Sequence, residues 1–384
     1  MRVHHKPGDD RRHDDQSKQH RLEAFARQLM VEASQGVGGA LLATPGSAVK
    51  DNLAGFGEFA GVASNSPPGK PISFFFIRTL IIRWLCFSRI LLEPMRHVIL
   101  DTDIGTDVDD LLALVFLAHA RELFLQGITT VYGDTLLRAR IAATAWQRTG
   151  NPEIPIVPGA TDPLSGRQIF WCGHEGEGIP SLETASVDRS RTAEQFLIQN
   201  SHLYSGELEI LAIGPLTNIA KAILADPGFA SRVKRLYLMG GAYWLDYSEH
   251  NIECDNVAAR IVFDSGMPIT AIGLDVTLRI SLTERELPHI TQLPNGLGPL
   301  LENQIRIWWK YLGVNHNHPH DPLAALAMVQ PDLFSFENCE IRVNIEQELA
   351  GRVERFDNPN GNVRAAFDLW VNGAEQALWG YIAG

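Results

Sequence analysis

Basic residues are scarce in this chain: 33 Lys and Arg face 45 Asp and Glu, a formal net charge of −12. A protein that holds the phosphate backbone needs a basic face, so nucleic acid is excluded as an expected partner. Cysteine is also scarce. Cys86, Cys172, Cys254 and Cys339 lie far apart with no paired spacing, which excludes a disulfide framework and a cysteine zinc site and leaves reduced thiols in a cytoplasmic protein as the expectation. No apolar run is long enough to span a bilayer without interruption. The best attempt, 72–92, is broken by Arg78, Arg83 and Arg89. Each arginine near a bilayer centre costs about 2.5–3.5 kcal/mol, and a span needs about 18 apolar residues in succession. Starting only at residue 72, the run is misplaced for a signal peptide, and no membrane partner is expected.

What the chain does have is 384 residues that are 45% apolar, enough for one large or two medium domains with a real core. Charge divides it in two. Residues 1–94 carry 12 basic against 9 acidic groups, and the remainder 21 against 36. Residues 1–70 are rich in His, Asp, Arg, Gly, Ser and Pro, with one short helical pattern at 21–33, and disorder is expected there. Met95 stands two residues before the first core strand and reads as a natural start. The expected organisation is an N-terminal extension over 1–94 and one folded domain over 95–384.

From Met95 onward the patterns alternate. Strands are expected at 98–100, 124–132, 154–157, 208–213, 235–239 and 269–276, with helices at 110–120, 135–148, 192–203, 218–224 and 257–265. Helical patterns follow at 300–312 and 320–328, the second with Asp321 as cap and Pro322 in the first turn. Strands at 340–345 and 352–356 and a helix at 373–382 close the chain. This order predicts an α/β fold: an open, mostly parallel Rossmann-like sheet with helices on both faces.

The chemistry concentrates at the end of the first strand, in Asp101-Thr-Asp103-Ile-Gly105-Thr-Asp107-Val-Asp109-Asp110. Five carboxylates within ten residues repel one another unless some bind protons or a hard cation neutralises them. Helix capping explains one or two acids, not five. An EF-hand loop counted from Asp101 would need Gly and Glu where Thr106 and Leu112 stand, and is excluded. A haloacid-dehalogenase-type phosphatase begins with a similar Asp-x-Asp, but Gly105 occupies the place of its Thr or Val.

This run resembles the N-terminal signature of the inosine-uridine preferring nucleoside hydrolases, Asp-x-Asp-Pro-Gly-x-Asp-Asp followed by an Ala-Leu helix. Ile104 replaces the proline, and Thr106, Asp107 and Val108 occupy the usual single position before the aspartate pair. Four further segments resemble the family in order: Gly127–Asp134, with Asp134 in place of the usual Asn; Leu211–Asn218; Met239–Ala242 with Glu249-His250-Asn251-Ile252; and His320-Asp321-Pro322-Leu-Ala324. The resemblance covers 95–384 and implies the nucleoside hydrolase fold. It also implies a calcium-dependent ribonucleoside N-glycosidase of nucleoside salvage, releasing ribose and a free nucleobase.

By that resemblance Asp103, Asp110, the Thr217 carbonyl and Asp321 hold Ca2+, Asp103 serves as general base towards water, and His320 is the acid for the departing base. Asp109, Asp134, His174, Glu249 and Asn251 bind substrate, and Phe170, Trp171 or Trp244 could stack on the base. Asp101 reads as a structural acid taking backbone N–H groups, and Asp107 has no assigned role. His316, His318 and His320 alternate in a loop where a zinc site is the lesser reading. A homodimer or homotetramer is implied. The phosphatase, or a non-catalytic metal-dependent nucleoside or sugar sensor, stands as the alternative.

Overall fold

The structure, a computed structural model, describes residues 96–384. The extension, its helical pattern at 21–33, the apolar run at 72–92 and Met95 lie outside the described residues. Among the described residues no helix is long and apolar enough to cross a membrane.

Nine strands form one sheet: β1 (Arg96–Thr102), β2 (Leu123–Thr130), β3 (Ile156–Pro158), β4 (Glu209–Ala212), β5 (Arg235–Met239), β6 (Ile269–Ile272), β7 (Phe334–Val343), β8 (Val353–Asp357) and β9 (Val363–Leu369). Their spatial order is β3-β2-β1-β4-β5-β6-β9-β7-β8. Pairing is parallel from β3 to β9 and antiparallel for β7 with β9 and β8. The expected open, mostly parallel sheet is therefore present, and its parallel strands all end on one side.

Side chains alternate across β1. Val98 and Leu100 enter one apolar core, and Ile99 enters the other. The first core is covered by Asp109–His119, Thr135–Thr149, His320–Val329 and Val371–Ala383, the second by Ala193–Leu203, Thr217–Ala225 and Asn256–Phe263. Both faces are thus buried, as the near-continuous apolar runs of β1, β4 and β6 require.

Three expectations need correction. The strand expected to run to Val276 stops at Ile272, where Gly273 breaks it and Leu274–Thr277 forms a helical turn. β9 had no expected counterpart. Asp321 does not cap its helix: Pro319 is the cap residue, without a side-chain bond. The helix's first N–H, from His320, instead goes to Asp109 Oδ2 at 3.1 Å, a cap supplied from 211 positions away in sequence.

Candidate active site

The carboxyl ends of β1, β2, β4, β5 and β6 lie together, and every segment named by the sequence motifs follows one of them or caps the nearby helix His320–Val329. This is where open α/β sheets place their ligands.

Asp107, Asp109 and Asp110 each bring a carboxylate oxygen within 4.8 Å of the others. Burial and the neighbouring Asp109 push Asp107 well above the ordinary carboxylate range, and burial with Asp103 and Asp107 does the same to Asp110. Asp321 is pushed well up by burial and by the charges of Asp109, Asp110, Asp107 and Asp103. Asp109 rises to about 6, chiefly through burial. Burial likewise raises Asp103, partly opposed by the Arg138 guanidinium and by His250. Five carboxylates thus share one electrostatic site, and Asp107 belongs to it. An all-oxygen, multiply acidic donor set fits a hard divalent cation better than zinc or a soft metal.

The cluster is held by neighbours. The Thr102 hydroxyl donates to Asp110 Oδ1 and accepts from the Ile104 N–H at 3.1 Å. Gly214 passes close to Asp103: a Cβ there would stand 2.8 Å from its Oδ1 and 2.9 Å from its backbone N. Thr217 is buried, and its hydroxyl donates to Asp255 Oδ2 at 2.7 Å. Asp255 also accepts from the N–H groups of Leu164, Ser165 and Ala258.

Asp101 is fully buried, yet its bonds differ from expectation. Its Oδ1 accepts from the Thr129 hydroxyl and from Asn218 Nδ2 at 2.7 Å, not from backbone N–H groups. Its Oδ2 has no partner, and burial pushes the group up to about 7.

The expected substrate residues occupy different settings. Glu249 is buried and accepts from the N–H groups of Gly241, Asn251 and Ile252 at 2.9–3.0 Å, which fixes the turn after β5. Asn251 Nδ2 donates to the Ile213 and Met239 carbonyls, bridging the ends of β4 and β5. Asp134 is exposed and caps Thr135–Thr149, accepting from the Leu137 N–H at 2.9 Å. His174 Nε2 pairs with the Thr106 carbonyl at 2.7 Å, beside Tyr311 and Trp308. His320 Nδ1 pairs with the Thr277 hydroxyl at 2.8 Å, and burial with the adjacent His318 pushes it down to about 3. Its imidazole is neutral near pH 7.

Of the aromatic residues, Trp171 lies over Arg138 at 5.0 Å and Phe170 stands edge-on to His250 at 5.6 Å. Trp244 stacks over Arg355 at 4.7 Å, beside Phe367 on β9. His318 Nδ1 pairs with the Ile280 carbonyl, and the aspartate group is the metal-spaced set found among the described residues. Sequence reasoning missed Arg138, Asp255 and His250. His250 was legible only as a member of its motif; the other two carried no local signal.

Residues 98–374 match the family model for inosine-uridine preferring nucleoside hydrolase. Uridine nucleosidase 1 of Arabidopsis thaliana is 34% identical over 267 residues, covering 65% of this chain and 79% of the relative. Pyrimidine-specific ribonucleoside hydrolase RihA of Shewanella baltica is 30% identical over 275 residues, covering 66% and 84%. Among solved structures, a plant nucleoside hydrolase, the PpNRh1 enzyme, aligns with a TM-score of 0.68 at 26% identity over 76% of this chain and 100% of that one. The purine-preferring ribonucleoside hydrolase from Gardnerella vaginalis aligns at 0.65 and 27% identity, over 75% and 98%.

Proposed function

The chain belongs to the inosine-uridine preferring nucleoside hydrolase family, and from that premise we propose that it hydrolyses ribonucleosides with calcium, using Asp103 as general base. The enzyme class, a nucleoside hydrolase that separates ribose from a nucleobase, follows from the family itself. The finer reading rests on one observation above the rest: Asp103, Asp107, Asp109, Asp110 and Asp321 meet at the carboxyl end of the sheet, where burial raises all five and neighbouring carboxylates add to the rise of Asp107, Asp110 and Asp321.

Asp103, Asp110 and Asp321, with the Thr217 carbonyl, are the residues that would hold the ion, and Asp107 is close enough to join or replace one of them. When bound there, calcium supplies an electrostatic anchor for the ribose hydroxyls and the attacking water and weakens that water's hold on its proton. Asp103 is half-buried just past the carboxyl end of β1, and its carboxylate takes the proton as water attacks the anomeric carbon. Asp109, Asp134, Glu249 and Asn251 accept from or donate to the sugar hydroxyls, and His174 lines the base side. They restrain a sugar that acquires oxocarbenium character. A tautomer in which Nδ1 accepts from the Thr277 hydroxyl carries the ring proton on Nε2, and in that form the neutral His320 imidazole donates a hydrogen bond to the departing base.

The names of the relatives point to a pyrimidine nucleoside, and uridine heads the substrate panel. The test is release of reducing sugar and free base from uridine, cytidine, inosine and adenosine. Release from none of them would leave the sensor reading, and release of phosphate from phosphate esters would favour the phosphatase. We further place the enzyme in the cytoplasm, on its free Cys172, Cys254 and Cys339, as a homodimer or homotetramer. Cell fractionation and light scattering check these two points.

A further inference from the structure

Arg138 is the largest fully buried side chain of the described residues, and no carboxylate pairs with it directly. Its guanidinium donates instead to the carbonyls of Tyr132 (2.7 Å) and Ile104 (3.0 Å) and to the Thr106 hydroxyl (3.1 Å). Ile104 and Thr106 stand where the loop departs from the family signature, one in place of proline and the other among the extra residues. A planar fork with five donors suits this three-way clamp, and a buried guanidinium leaves heavy desolvation to be offset.

Trp171 covers the face of that guanidinium at 5.0 Å and packs on Gly133, where a Cβ would come within 2.6 Å of the ring. Thr106 binds the same covering segment from the other side. Its carbonyl pairs with His174, and its hydroxyl donates to Glu175 Oε1 at 3.3 Å. The Glu175 carboxylate in turn accepts from the Cys172 and Gly173 N–H groups. Two loops far apart in sequence are therefore fastened by Arg138, which touches both, and by the direct bonds of Thr106 to His174 and Glu175.

We propose that Arg138 is a positioning residue that joins the acidic loop at 104–108 to the covering segment at 170–175, so that substrate meets both as one preformed wall. This rests on the reading of the site as a ribonucleoside site. Arg138 touches no reacting group, so its effect falls on KM more than on kcat.

The experiment uses the full chain, with saturating calcium and uridine as the probe. Arg138→Lys keeps the charge but loses the plane; KM is expected to rise fivefold or more while kcat changes less than KM. Trp171→Ala is expected to raise KM in the parent and to change it less than twofold in the Arg138→Lys background. A KM rise below fivefold, or an equal Trp171→Ala effect in both backgrounds, overturns the proposal. Should Arg138→Lys lose cooperative unfolding, Thr106→Val carries the same test with the same thresholds. Hydrogen exchange provides a readout independent of turnover. Arg138→Lys is expected to strip protection from 104–108 and 170–175 together, and loss from one alone refutes the link. A parent enzyme that cleaves no nucleoside would reject the functional reading, and the exchange result would still decide the role of Arg138.

Discussion

Asp101 shows how a single buried acid is set by what surrounds it. Burial pushes it up to about 7, against the Asn218 and Thr129 bonds that favour its charge. Because the folded value lies above the unfolded one, its contribution to stability is complete below the ordinary 3.8 and is lost as pH rises through about 7. The full difference corresponds to about 4 kcal/mol by the standard conversion. Asp101→Asn keeps the Oδ1 acceptor and removes the titration. In metal-free protein its stability relative to the parent is expected to improve as pH rises from about 4 to 8, read by urea unfolding across that range. A constant difference would remove this assignment. Both oxygens of Asp255, by contrast with Asp101, have hydrogen-bond partners. Asp255→Ala leaves three N–H groups and the Thr217 hydroxyl unpaired, and a loss of about 2–4 kcal/mol in denaturant stability is expected.

At the scale of elements, the loop after β1 works because other elements approach it closely. The segment after β4 can lie against Asp103 only while residue 214 lacks a side chain. Gly214→Ala is expected to displace Asp103 and to lower kcat tenfold or more while far-UV circular dichroism and cooperative unfolding persist, and unchanged kcat would show that the loop tolerates the shift. This scale also separates what could be read in advance from what could not. β1, β5 and the helix Asp109–His119 were legible because apolar runs, breakers and a following helix pattern agree locally. β9 escaped because Arg364 and Asp368 interrupt a run whose neighbours are assigned only by pairing with β6 and β7. Arg138 escaped for a tertiary reason. A basic residue on a helix reads as solvent-facing until carbonyls from Ile104 and Tyr132 are brought to it.

For the whole molecule, the sheet gathers five distant segments at one end, and the cost is a mutually repelling set of acids. Asp107, Asp109, Asp110 and Asp321 are all pushed upwards. By the same sign argument, the chelated protein should lose stability as pH rises from about 4 through neutrality. Calcium should reverse that loss, by about 2.7 kcal/mol at a hundred times its dissociation constant. Calorimetry with and without chelator reads both. These acids, as proposed above, serve a metal-dependent cleavage of ribonucleosides with Asp103 as base. Uracil and ribose release from uridine by the parent enzyme and by Asp103→Asn, after chelation and again after calcium is restored, tests this role of the acids. Release is expected to stop on chelation, to return with calcium, and to fall a hundredfold or more in Asp103→Asn. Undiminished release under chelation, or a fully active Asp103→Asn enzyme, would contradict that role.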